Sequence, residues 1–171
     1  VCFGGKYGDV VRHAFQCGSS EEAASVSGVL EAYHQVFKSG LIMSGPTDFN
    51  EVIQLAAGRA QSGLEAARQS GGQTYTVLLI LSDGCVSDVS STAARLEQVS
   101  DCPLWIVIVG VGNADFSGMN FLDDLRKPGK RDIVQFVSFN QNSRNPAQLS
   151  SATLNEIPDQ LVAYFQKHGI Q

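Results

Sequence analysis

The stretch Tyr75-Thr-Val-Leu-Leu-Ile-Leu-Ser-Asp-Gly84, YTVLLILSDG, runs six apolar or β-branched residues into a carboxylate and a glycine. A continuously apolar run of this length, closed by turn residues, is the pattern of a parallel strand with both faces covered by helices. An acidic side chain at the end of such a strand is costly unless something at the strand tip uses it. Asp83 is therefore a candidate for a helix cap, a hydrogen-bonded turn, a catalytic carboxylate or a metal ligand.

The same pattern returns in LWIVIVGVG (104–112) and, more weakly, in DIVQFVSF (132–139). Helical spacing separates these runs. SDVSSTAARLEQVSD (87–101) has Ser87 or Asp88 near its start, and DFSGMNFLDDL (115–125) reads as a shorter helix. Upstream, VCFGG (1–5) reads as the end of a strand and HAFQC (13–17) as a short edge strand. In SGVLEAYHQVFKSG (27–40), Val29, Leu30, Tyr33, Val36 and Phe37 recur at helical spacing and Gly40 supplies a stop. A long helix follows the Gly-Pro turn, with Thr47 or Asp48 as its cap and Glu51 as a capping-box partner. The chain closes with a helical stripe of Leu154, Ile157, Leu161 and Phe165, in which Pro158 marks a kink or a first turn. Strand and helix alternate throughout, which predicts an α/β fold with a doubly wound, mostly parallel sheet flanked by helices.

With 171 residues, 43% hydrophobic and 17% charged, the chain is sized for one domain spanning 1–171. Twelve basic against 17 acidic residues leave a net charge of -5, with the basic residues scattered, which argues against a nucleic-acid surface. The one basic cluster, RKPGKR (126–131), reads as a solvated loop. Cys2, Cys17, Cys85 and Cys102 lack zinc-finger spacing and are expected to be reduced thiols in a cytoplasmic protein. No run approaches the roughly 20 apolar residues of a membrane span.

In a doubly wound sheet, functional groups gather at the carboxyl ends of the strands. Asp83 lies at one such end, the Gly110–Asp115 segment at the next, and Thr47 in a loop that this topology brings to the same rim. A hydroxyl and a carboxylate are hard oxygen ligands suited to Mg²⁺ or a similar ion. The competing structural reading gives Thr47 and Asp83 to helix and turn caps. Asp115 reads first as a cap for the helix near Phe116, and Asp88, Asp123 and Asp124 as caps or solvated faces.

Six ordered blocks, VLEAYHQVF, GPTDFNEVI, YTVLLILSDGCVSD, PLWIVIVGVGNADFSGMNFLDD, RDIVQFVSF and LNEIPDQLVAYF, resemble the copine family and specifically its von Willebrand factor A-like domain. The resemblance implies a metal-ion-dependent adhesion site with Thr47 and Asp83 as metal ligands and Ser82, Asn113 and Asp115 as candidate outer-shell groups. The Asp-x-Ser-x-Ser-like segment that completes such sites is not in this sequence. By this resemblance the chain is expected to lack the first strand and first helix, leaving unpaired inner edges beside Leu79 and beside Cys2. Mg²⁺ or Mn²⁺ binding in this chain is then expected to be weak or absent.

The resemblance further implies a protein-interaction role, in which a partner's acidic side chain completes the metal's coordination. Calcium and phospholipid binding would belong to upstream modules outside this chain, placing the parent in the cytoplasm and peripherally at the plasma membrane, in signalling. Copine-like domains also resemble the substrate-recruiting part of RING-type ubiquitin ligases. An enzyme is the rival class. A dinucleotide fingerprint would need glycine at 115, where Asp115 stands, and neither a Walker sequence nor a G-x-S-x-G elbow occurs, which leaves only metal-assisted hydrolysis at Asp83. The expectation is that the chain is not an enzyme.

Overall fold

The computed structural model describes residues 1–125 and 127–170, apart from the side chain of Tyr7; Arg126 of the basic loop lies outside them. The chain divides into two compact units, Val1–Val52 and Ile53–Gln171.

In the first unit, β1 (Gly5–Tyr7) pairs antiparallel with β2 (Val10–Arg12) on one side and with β3 (Ile42–Met43) on the other. Gly8, with φ of 59°, makes the tight reversal between β1 and β2. The same register continues to a bridge between Cys2 and Phe15, where Cys2 donates to the Phe15 carbonyl at 2.8 Å and Phe15 donates back at 3.0 Å. The edge strand expected over 13–17 therefore lies earlier, at β2. β1 has a neighbour on each side, while Cys2, which precedes it, is bridged to Phe15 alone among the described residues.

This register sets Cys17 diagonally across from Cys2, with the Cα atoms 6.3 Å apart, and the two form a disulfide. That overturns the expectation of four reduced thiols; Cys85 and Cys102 are free. The helix α1 (Val26–Lys38) starts from Ser25, whose hydroxyl accepts from the Gly28 amide, and it packs closely on Gly18, where a Cβ would stand 2.9 Å from that of Ala32.

The second unit is built on three parallel strands, β4 (Thr76–Ser82), β5 (Leu104–Gly110) and β6 (Val134–Ser138), in the order β4-β5-β6. The ladder runs from Thr76 opposite Leu104 to Ser82 opposite Gly110, and from Ile106 opposite Val134 to Gly110 opposite Ser138. Every residue of β5 is buried. Helices occupy the crossovers: α3 (Val89–Val99) joins β4 to β5, and α4 (Ser117–Asp123) joins β5 to β6. The helix α2 (Asn50–Gln69) contributes Ile53, Ala56, Ala57, Ala60 and Leu64 to the core, one stripe at helical spacing. After β6 come the short α5 (Phe139–Asn142), then α6 (Pro146–Leu154) and α7 (Ile157–Lys167). The closing stripe is thus split between two helices, and Pro158 sits in the first turn of the second, where its missing N–H costs nothing.

The fold is α/β, with a parallel sheet flanked by helices, as the alternation of runs predicts. One expectation fails within it. β4 is not covered on both faces: Val77, Leu79 and Leu81 are 44%, 53% and 61% exposed, while Ile80 and Ser82 on the opposite face are buried. Among the described residues β4 pairs with β5 alone, so its sequence is that of an interior strand and its position that of an edge.

Arg131 corrects the reading of the basic loop. Its guanidinium donates to the Tyr75 hydroxyl at 2.7 Å and to the carbonyls of Cys102 and Ser100 at 3.0 and 3.3 Å. It also lies 5.0 Å from the centre of the Tyr164 ring and 5.9 Å from that of Tyr75. One side chain thereby ties the start of β4, the turn before β5 and α7 together at the amino end of the sheet. Elsewhere in that loop Lys127 does face solvent, paired with Glu97 at 2.6 Å. Asp123 is likewise not a solvated face, because its carboxylate accepts from the Phe136 amide at 3.1 Å and pins the end of α4 to β6.

Two measurements check this architecture. Burial raises the pKa of the Tyr75 phenol, with Arg131 partly offsetting it, and burial raises that of Tyr164. Both groups therefore stabilise the fold below the ordinary phenol pKa of about 10 and lose that contribution as pH rises through their elevated folded values. Urea midpoints should fall steeply above about pH 10, and Tyr75→Phe should cost about 1–2 kcal/mol at neutral pH through the bond lost from Arg131. Separately, Cys2 and Cys17 are 15 residues apart, so reducing their bond should destabilise the first unit by about 3 kcal/mol. Hydrogen exchange at β1 and β2 amides should accelerate accordingly.

Candidate functional site

The carboxyl rim of the second unit is formed where β4 and β5 end together. Ser82 closes the chain reversal after β4: its buried hydroxyl donates to the Gly84 carbonyl at 2.8 Å and lies 3.4 Å from the Gly84 amide, which donates to it. The Ser82 carbonyl accepts from Val111 at 2.8 Å, extending the ladder one step beyond β5. The next helix is capped by Asp88, which accepts from the Ser91 amide at 2.8 Å. Both capping tasks that were open to Asp83 are thus carried by neighbours. Asp83 is exposed, and among the described residues its carboxylate makes no hydrogen bond.

The loop after β5 is held by packing and by one clamp. Gly110 sits so close to Phe116 and Phe136 that a Cβ there would lie 2.9 Å from each ring, and these rings stack at 5.4 Å. Gly112, with φ of 101°, turns the chain. Asn140 of α5 then donates to the Gly112 carbonyl at 2.7 Å and to the Asn113 side-chain carbonyl at 2.8 Å. Asn140 was not among the sequence candidates. A lone asparagine after a strand gives no signal of its own, and only the parallel register of β5 and β6 brings it to this loop.

Asp115 accepts from the Ser117 amide at 2.9 Å, and this bond holds its carboxyl below the usual range. Asp115 is not the cap that the sequence reading expects: α4 begins at Ser117 with Phe116 in the capping position, and Asp115 holds the first helical amide from one residue further back. Ser82, Asp83, Asn113 and Asp115 all belong to the second unit. Thr47 belongs to the first, half-buried in the segment between β3 and α2. Beside it Asp48 accepts from the Asn50 backbone amide at 2.7 Å and from the Asn50 side-chain amide at 2.8 Å, opening α2.

The donor chemistry at the rim of the second unit is limited. Ser82 is committed to its turn, Asn113 to Asn140 and one oxygen of Asp115 to α4, so Asp83 supplies the one carboxylate without a protein partner among these four. Among the described residues no three His, Cys, Asp or Glu side chains converge as a preformed cage. Such a rim fits a hard, strongly hydrated cation that retains most of its waters, and does not fit the six- to eight-oxygen shell of a dehydrated Ca²⁺.

Comparison with known proteins decides the family. The profile described as Copine matches residues 2–171. This chain belongs to the copine family. It is 43% identical to Copine-C and 40% identical to Copine-B, both of Dictyostelium discoideum, in each case over 98% of this chain. It covers 32% of the length of either relative, so it corresponds to about a third of a whole copine of that kind. The parallel sheet flanked by helices agrees with the von Willebrand factor A-like domain that copine membership implies.

Because the Asp83 carboxylate is exposed and takes no part in the turn, Asp83→Ala in this copine chain should change unfolding free energy by less than about 0.5 kcal/mol. A loss of about 1 kcal/mol or more by urea denaturation, the size of a missing cap, would assign Asp83 a structural role instead.

Proposed function

We propose that this copine segment is a protein-recognition module whose binding site is the carboxyl rim of the sheet, centred on Asp83. The single observation that supports it most is the state of that residue: an exposed carboxylate at the end of a core strand, with turn closure and helix capping carried by Ser82 and Asp88. Bound there, Mg²⁺ or Mn²⁺ would supply positive charge with open coordination positions, to which an acidic side chain of a partner protein could add. On the protein's side Asp83 contributes the ligand, and Ser82, Asn113 and Asp115 orient the loops around it. The Asn140 clamp and the aromatic seat of Gly110 restrict the motion of the β5 loop, which favours recognition by reducing the ordering cost on binding.

Recognition rather than catalysis is the reading because, among the described residues, no three His, Cys, Asp or Glu side chains converge at the rim. Phospholipid and calcium binding we assign to regions of the parent outside this chain, with the parent cytoplasmic and peripheral at the plasma membrane. In a reducing cytosol Cys2 and Cys17 would stand as a dithiol held at bonding distance by the β1–β2 hairpin.

Titrating Mn²⁺ into ¹⁵N-labelled protein tests the proposal. Paramagnetic broadening should begin at amides of 82–84 and 111–115 and should be lost in Asp83→Ala. The same titration on a protein extended to the length of its relatives should show tighter, still Asp83-dependent binding. Broadening that is indifferent to Asp83→Ala in both forms would remove the metal-dependent rim from the reading and leave a metal-independent interaction domain.

A further inference from the structure

The Cys2–Cys17 bond closes within a frame that other contacts of the first unit also hold. Cys2 and Phe15 exchange backbone hydrogen bonds at 2.8 and 3.0 Å. The Phe15 ring lies over Gly5, where a Cβ would stand 2.7 Å from it, and Leu41 crowds the same position at 2.5 Å. These contacts keep residues 15–17 beside the chain that carries Cys2 whether or not the sulfurs are joined. With the Cα atoms 6.3 Å apart, within the about 4.4–6.8 Å that a disulfide spans, each thiol meets the other at high effective concentration. The residue that follows Cys17 is the seat of α1. Gly18 takes φ of 77°, and a Cβ there would stand 2.9 Å from the Cβ of Ala32 and 3.4 Å from its Cα. The bond between the sulfurs and the packing of α1 are thus one residue apart in the chain.

We propose that Cys2 and Cys17 form a thiol–disulfide switch that sets how firmly α1 is held, with glutathione disulfide as the oxidant and glutathione as the reductant. Cys17 is the entry thiol. It is half-buried, with exposed Gln16 before it and exposed Ser19 and Ser20 shortly after, so a small disulfide reaches it from the solvent side of the loop. The Cys17 thiolate attacks one sulfur of glutathione disulfide, forming a mixed disulfide and expelling one glutathione thiolate. The Cys2 thiolate then attacks the Cys17 sulfur and expels the second. Two electrons pass from the protein pair to glutathione disulfide, and the two thiol protons end on the two glutathione molecules released. Excess glutathione runs both steps backward. In the disulfide form the bond ties Cys17, and with it Gly18, to Cys2. In the dithiol form the Phe15 contacts alone locate Gly18, and α1 loses part of its restraint. The switch uses no residue assigned to the metal or to the partner, so it stands apart from the rim reading.

Equilibrating the full chain in buffers of stepped glutathione to glutathione disulfide ratio, followed by acid quench, alkylation and peptide mass mapping, tests the proposal. The Cys2–Cys17 pair should pass between dithiol and disulfide in one two-electron transition, inside the range that separates cytosolic from secretory glutathione buffers. A pair still bonded at the cytosolic end would be a fixed crosslink, and a pair still reduced at the secretory end would be no switch; either result overturns the proposal. Cys2→Ser should accumulate glutathione on Cys17, and Cys17→Ser far less on Cys2, whereas the reverse preference would overturn Cys17 as the entry thiol. Hydrogen exchange at α1 amides should be at least about tenfold faster in the dithiol form than in the disulfide form, with β5 amides exchanging alike in both. Cys17→Ser should show the faster α1 exchange at every glutathione ratio. Exchange in α1 that ignores the redox state would overturn the switch, however readily the bond forms.

Discussion

The second unit depends on satisfying the backbone of β5. Its seven residues are buried, so each N–H and C=O must find a partner inside the protein, and parallel neighbours on both sides provide them. That requirement fixes the register of β4 and β6, and the register fixes which residues end together. Ser82, Gly110 and Ser138 stand in one row across the sheet. The loops that follow them, with Asp83, Asn113 and Asn140, become neighbours for that reason alone.

The two ends of this sheet are finished by opposite means. At the amino end Arg131 uses a permanent charge to tie carbonyls, a phenol and two aromatic rings into a closed cluster, an arrangement that leaves little to react with. At the carboxyl end the hydrogen bonds are short-range and the one carboxylate of the central turn is left open to solvent. A protein that binds through its rim gains from this asymmetry, since the closed end supplies rigidity and the open end keeps an available charge.

Much of the parallel sheet was readable from the chain because its signals are local. Continuous apolar runs over 76–81 and 104–109 have no reading as surface strands, and Asp88 before a helical stripe is a capping signal in itself. Arg131 was misread for the opposite reason. Its partners Ser100, Cys102, Tyr75 and Tyr164 are far apart in sequence, and nothing in RKPGKR distinguishes an arginine that folds inward from lysines that do not. The Cys2–Cys17 bond was missed because it depends on hairpin register, which the turn at Gly8 sets and which composition does not reveal.

The sequence by itself determined the α/β class, the order of strands and helices in the second unit, the copine resemblance and the placement of Asp83 at a strand end. These follow from hydrophobic period and turn chemistry, which act between residues a few positions apart. Only the tertiary structure decided that β4 keeps one face exposed at Val77, Leu79 and Leu81, that Ser82 and Asp88 relieve Asp83 of structural duty, and that Asn140 clamps the loop beside it. Whether an apolar strand is covered, or a carboxylate left unpaired, depends on which distant elements arrive beside it, and no local pattern carries that information.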